Sequence, residues 1–179
     1  MHPPFFAADE AALAELGRHA KHWRCPHCGR SGGFNAHGNL RGLAERGPGK
    51  AALRGRRFLC SNRGRRPGCG RTWSVRLARV LRGLSVRTAQ LWRFALGWLS
   101  DLAPLAAWVQ ACTGFSLESA HRWRRRWRRA EPALRTWLCR GREPPDANLP
   151  AALVGAYGVA DPIAGLQARE QRGWPGFGS

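Results

Sequence analysis

Acidic residues are scarce in this sequence. Of 179 residues only 11 are Asp or Glu, against 30 Lys and Arg, which gives a formal net charge of +19. The imbalance is local: positions 25 to 142 carry 25 basic and 4 acidic residues, while the two ends together hold 5 and 7. A strongly basic middle between near-neutral ends points to a polyanionic partner, nucleic acid first. Lysine is nearly missing too, with only Lys21 and Lys50. An Arg-biased genome turns Lys into Arg but does not create net charge. Long apolar runs are absent: nothing approaches the roughly 18 residues of a membrane span, and positions 1–6 lack a signal-peptide core, so a cytoplasmic protein is expected. No acid is paired with a nucleophile at a recognisable spacing, and Gly29 to Gly33 lacks the Lys-Ser/Thr ending of a phosphate loop.

Six cysteines are present, four of them in one stretch. Cys25-Pro26-His27-Cys28-Gly29 is a tight turn that presents two sulfurs, with Pro26 to stiffen it and Gly29 able to take a positive φ. Cys60 and Cys69 supply a second pair. Four thiolates close a tetrahedral zinc site with no open coordination position, so one structural Zn2+ per chain is expected, held by Cys25, Cys28, Cys60 and Cys69. Eight residues separate Cys60 from Cys69, where two to four are usual. These are polar and include Arg63, Arg65 and Arg66, so they read as an exposed loop. Free buried thiols or a disulfide are the alternative, and His37 is a substitute ligand. Cys112 and Cys139 read as small core residues.

Short strands are expected at 32–38, 57–60 and 71–75, where apolar and polar side chains alternate, with a flexible hairpin tip over 42–55. So small a sheet buries too little surface to stand alone, and the metal would supply much of its folding energy. Ahead of it, Ala7 to Lys21 reads as a short helix with Leu13, Leu16 and Ala20 on one face. His19 and His22, available as spare ligands, read as solvated. Together Cys25-Pro-His-Cys-Gly29, Gly38-Asn-Leu-Arg-Gly42, Arg57-Phe-Leu-Cys60 and Cys69-Gly-Arg-Thr-Trp-Ser74 resemble the N-terminal zinc ribbon of bacterial insertion-sequence transposases, Trp73 standing where that family usually has Phe.

Beyond a basic connector at 76–84, Ser85 is expected to cap a helix to Ser100 with Leu91, Phe94, Ala95, Trp98 and Leu99 facing a core. A second helix starts near Pro104 and stops at Thr113-Gly114-Phe115. Ser116 caps a third, in which Ala120, Trp123 and Trp127 form the buried stripe. Ser119, Arg122, Arg126 and Arg129 are then expected on the opposite face, flanked by His121 and Arg125. Six arginines offset only by Glu118 repel one another, a cost that a polyanion removes. Helix, glycine turn and capped basic helix make a helix-turn-helix pattern, similar to the one that follows the ribbon in the same transposases. A last short helix is expected from Glu131-Pro132, and from Gly141 onward a loose tail with one weak helical patch at 151–159.

The expected architecture is small α+β: an N-terminal helix (1–24), a zinc ribbon with a short antiparallel sheet (25–75), a three- to four-helix helix-turn-helix bundle (85–140) and a flexible tail (141–179). The resemblance implies a bacterial, nucleoid-associated protein that binds duplex DNA, a recognition module or regulator of an insertion element. Ser119, His121, Arg122, Arg125, Arg126, Arg129, Arg63, Arg65 and Arg66 are its candidate DNA contacts. Family members cut and join strands with carboxylates on a further domain, so this chain is expected not to be an enzyme. A homodimer or a separate transposase subunit would be its protein partner. An RNA-binding or ribosome-associated zinc protein, or a decayed transposase fragment, are the competing readings.

Overall fold

The computed structural model describes residues 1–42, 51–64, 68–82, 87–100, 105, 116–139, 148–158 and 160–175. Its elements are β1 (Phe6–Ala7), α1 (Glu10–His19) followed by a 3-10 turn (Ala20–His22), β2 (Phe34–Gly42), β3 (Ala52–Cys60), β4 (Thr72–Leu77), α2 (Thr88–Ser100), α3 (Leu117–Leu138), α4 (Leu149–Tyr157) and α5 (Pro162–Glu170). The class is α+β. The four strands form one mixed sheet in the order β1-β4-β3-β2, with β2, β3 and β4 antiparallel and β1 parallel to β4. The expectation of a purely antiparallel sheet therefore missed β1. Its pairing is carried by Arg76 N donating to Phe5 O (2.9 Å) and Ala78 N donating to Ala7 O (2.8 Å).

Helix α1 begins at Asp9, whose carboxylate accepts from Ala12 N, and lays Leu13 on the sheet. That sheet-side core contains Trp23, Phe34, Phe58, Val75, Leu77 and the sulfurs of Cys25 and Cys60. Trp23 is its centre, edge-on to Phe58 (4.9 Å) and to Phe34 (5.9 Å). Positions 76–81 are more than a connector, because Leu77, Ala78, Val80 and Leu81 are all buried. A second core joins α2, α3, α4 and α5 through Leu91, Trp92, Phe94, Trp123, Trp127, Leu134, Leu153, Ile163, Leu166 and Trp174.

Two expectations are corrected here. First, no break occurs at Glu131-Pro132: α3 runs unbroken through Pro132 to Leu138. An internal proline removes one helical hydrogen bond and costs about 3 kcal/mol. Ala130 and Leu134 continue the stripe of Trp123 and Trp127 into the core, which offsets that cost. Second, the segment after 148 is no loose tail. Asn148 and Asp161 cap α4 and α5 by accepting from Ala151 N and Ala164 N, and each helix has a proline in its first turn, where the missing N–H is harmless. Their apolar faces and Trp174 complete the helical core.

The C-terminal segment also ties the two cores together. Gln167 is buried and donates to the carbonyls of Ala78 and Val80, while its own oxygen accepts from Trp174 N. Gln171, held at φ 52°, accepts from Phe5 N and Phe6 N and donates to Phe6 O, so one side-chain amide pairs with β1 as a neighbouring strand would. The expected helix over 104–112 and the glycine turn at 113–115 lie, apart from Leu105, outside the described residues, as do Ser85 and Cys112. No single helix among the described residues is long and apolar enough to cross a membrane.

Candidate metal centre and nucleic-acid interface

The four cysteines come from two backbone turns of the same design. In the first, Gly29 N donates to Cys25 O (2.8 Å) and Cys25 N donates to Arg30 O (2.8 Å). In the second, Gly70 N donates to Cys60 O (2.9 Å) and Cys60 N donates to Arg71 O (2.9 Å). Gly29 and Gly70 have nearly the same positive φ, 70° and 71°, which only a residue without a Cβ adopts freely. The long spacing between Cys60 and Cys69 is thus a loop inserted into a turn whose closing hydrogen bonds are preserved.

The four Sγ atoms lie within 4.8 Å of one another, with Cys25 and Cys69 at 3.7 Å and Cys28 and Cys60 at 3.9 Å. A tetrahedron with 2.3 Å metal–sulfur arms has edges of about 3.8 Å, so these spacings fit a metal ion. They are far from the roughly 2.05 Å of a disulfide. His37 stands in the bulge of β2 between Ala36 and Gly38, and neither it, His19 nor His22 belongs to the cluster. The Arg30 backbone N–H lowers the Cys28 thiol to about 7, whereas burial pushes Cys60 up to about 12. A divalent cation is what would make a thiolate at Cys60 affordable in that setting.

The second candidate surface is α3. Ser116 caps it by accepting from Ser119 N (3.2 Å), and Glu118 occupies the first turn. Its exposed face carries His121, Arg122, Arg125, Arg128 and Arg129, whereas Ser119 and Arg126 are half-buried. The expected face is therefore rotated: Arg125 and Arg128 move to the front, Ser119 and Arg126 to the flank. At roughly 100° per residue Arg125 sits almost opposite the centre of the Ala120, Trp123 and Trp127 stripe, whereas Ser119 and Arg126 lie about a quarter-turn or more round from that direction. Arg122 Nη2 reaches Ser119 Oγ (3.4 Å). Arg124 and Arg128 stand over the Trp98 ring at 5.1 and 5.8 Å, which ties them to α2. Arg63 is exposed; Arg65 and Arg66 lie outside the described residues.

Further basic side chains were not among the expected DNA contacts: Arg54, Arg56 and Arg57 on β3, Arg76 on β4, and Arg82 beyond it. Their signal was available, since no acidic residue occurs anywhere from 46 to 100. Phe5 was also missed. It is 51% exposed and packs on Trp73 with ring centroids 4.7 Å apart. Trp73 donates to Pro4 O, and His27 and Arg71 stand alongside.

No family model, curated protein or solved structure matches this chain.

Proposed function

We propose that the chain is a zinc-stabilised DNA-binding protein, similar in plan to the recognition region of insertion-sequence transposases or to a regulator of such an element. The observation that carries this reading is the outer face of α3, where four exposed arginines and His121 meet only Glu118. A helix wide open on its charged side, with its tryptophans turned into the core, suits the major groove of duplex DNA. In that arrangement Arg122, near the helix N-terminus, reads a base edge, guanine best, while Arg125 and Arg129 hold phosphates. Zinc is the metal favoured by four sulfur ligands at tetrahedral spacing, with an iron centre the other occupant of such a set. The described acids support binding over strand chemistry: Asp9 and Asp161 cap helices, and Glu10, Glu15 and Glu131 pair with basic groups.

A second reading draws on Phe5 and Trp73. The exposed Phe5 ring, packed on the half-buried Trp73 beside Arg71, could stack an unpaired base, as single-stranded RNA binders do. Titrating labelled duplex DNA, single-stranded DNA and single-stranded RNA of matched length at one stated salt concentration separates the two. The DNA reading expects the DNA duplex to bind tightest; equal or tighter binding of either other nucleic acid would refute it.

A further inference from the structure

The last turn of α3 and the pair α4 and α5 border a cleft that neither the metal nor the basic face of α3 uses. A Cβ at Gly165 would meet Tyr157 O at 2.5 Å, so the missing side chain lets α5 lie directly on the end of α4. Arg169 follows Gly165 by four residues and shares its face of α5 one turn on. It comes back over the Tyr157 ring at 5.9 Å, and its Nη1 donates to Ala156 O (3.2 Å). Tyr157 Oη donates to Glu170 Oε1 (3.2 Å), which fixes the ring. Trp137, from the last turn of α3, also lines the cleft and lies under Arg172 at 5.9 Å.

The cleft holds about 400 Å³, in the range of small-molecule sites, and its walls include Trp137, Leu138, Ala156, Tyr157 and Arg169. Trp137 and Tyr157 are half-buried and pack against the helical core. Arg169 and Arg172 are exposed, and no ion pair among the described residues involves either. Of the five N–H donors of Arg169, a single one is engaged among the described residues. These groups select a ligand. An aliphatic molecule would cover the rings but leave the guanidinium charges without a partner. A bare anion would use the charges and none of the aromatic surface. A planar ring that carries a phosphate uses both, because the ring stacks on an aromatic side chain and the guanidinium fork takes phosphate oxygens.

We infer that this cleft binds one nucleotide, its base against Trp137 and Tyr157 and its phosphate on Arg169, with Arg172 adding positive charge beside Trp137. A free nucleoside monophosphate and an unpaired nucleotide of a strand present the same chemistry. The inference goes beyond the DNA reading and does not rest on it. Trp137 lies 15 positions along α3 from Arg122, about 22 Å at helical rise, and no cysteine of the cluster borders the cleft.

The test uses the full chain and adenosine 5′-monophosphate, followed by calorimetry at fixed ionic strength. Adenosine and ribose 5-phosphate, which each keep one half of the ligand, are the comparison. The nucleotide should bind about tenfold tighter than either half, the worth of one stacked base or one charge-assisted contact. Arg169→Gln should weaken it by about tenfold. Gly155→Leu fills the cleft from α4, where a Cβ meets nothing within 4 Å, so it should melt as wild type does and lose nucleotide binding. Arg18→Gln on α1 controls for bulk charge and should bind as wild type does. A second arm compares a blunt duplex with one that carries a single unpaired nucleotide at its end. Tighter binding of the overhang, lost in Gly155→Leu, assigns the site to a strand; nucleotide binding without that gain assigns it to the free ligand. The inference is overturned if neither the nucleotide exceeds ribose 5-phosphate nor the overhang exceeds the blunt duplex, or if Gly155→Leu binds as well as wild type. A protein that binds the nucleotide in this cleft and ignores duplex DNA would keep the site and refute the DNA reading.

Discussion

Replacing Cys28 with serine removes one sulfur from the four-cysteine cluster with little change in packing, because Cys28 is half-buried at the rim, whereas Cys25 and Cys60 are fully enclosed. Its cost therefore reports the metal rather than a cavity. Structural zinc supplies about 10–16 kcal/mol of apparent binding free energy at neutral pH. A domain of this size is stable by only about 5–15 kcal/mol. Losing even half of the metal term therefore leaves the small sheet below the threshold for folding. What should survive is decided by the two cores. Trp23, Phe34 and Phe58 belong to the cluster that contains the sulfurs, while Trp92, Trp127, Leu134 and Leu153 belong to the other. Hydrogen exchange followed by mass spectrometry should show protection lost across β2, β3 and β4 and largely kept in α2 and α3. Elemental analysis should find one zinc per wild-type chain and less than one in the variant. Cys139→Ser, a half-buried thiol at the end of α3, should leave both measurements unchanged. The reasoning fails if wild-type protein purified without chelator contains no metal, or if Cys28→Ser protects the sheet as well as wild type does.

Three further outcomes follow from particular contacts. Gln171→Ala removes the three hydrogen bonds between its side chain and β1, at about 1 kcal/mol net each, and should lower stability in urea by about 2–3 kcal/mol; an unchanged midpoint would show that β1 is held by its pairing with β4 alone. Burial raises the Asp161 carboxyl pKa, so the folded state holds this proton more tightly and the stability it contributes fades as pH rises through the shifted value. Asp161→Asn keeps Oδ1 to cap Ala164 N and presents its amide NH2 to Thr88 Oγ1, which then accepts instead of donating, without the charge, so its melting temperature relative to wild type should rise from pH 4 to pH 7; a constant difference refutes this. On α3, Arg125→Ala should lower the salt slope of duplex binding by about one unit with no change in melting, whereas Arg124→Ala, which loses its stacking on Trp98, should lower the melting temperature instead; equal effects of both on the salt slope would make the helix an undifferentiated patch of charge.

How much was legible in the chain varied with how local the cause was. Cys25, Cys28, Cys60 and Cys69 were readable because a knuckle is a matter of neighbouring residues: a proline, a glycine, and two sulfurs within one turn. The cap of α3 at Ser116 is equally local, as was the burial of Trp123 and Trp127 at helical spacing; the cap of α1 at Asp9 is local too, although that helix was expected from Ala7. Charge needed no structure at all, since a basic middle remains basic in any fold. What the sequence could not decide were questions of which distant surface each segment meets. Pro132 locally argues for a helix start, and only the burial of Leu134 in the core shared with α4 and α5 carries α3 past it. The segment after 148 is short, weakly periodic and rich in Pro, Gly and Ala, so its helices gain little from their own sequence. They exist because Leu153, Ile163, Leu166 and Trp174 fill the helical core while Gln167 and Gln171 satisfy strand groups more than eighty residues away.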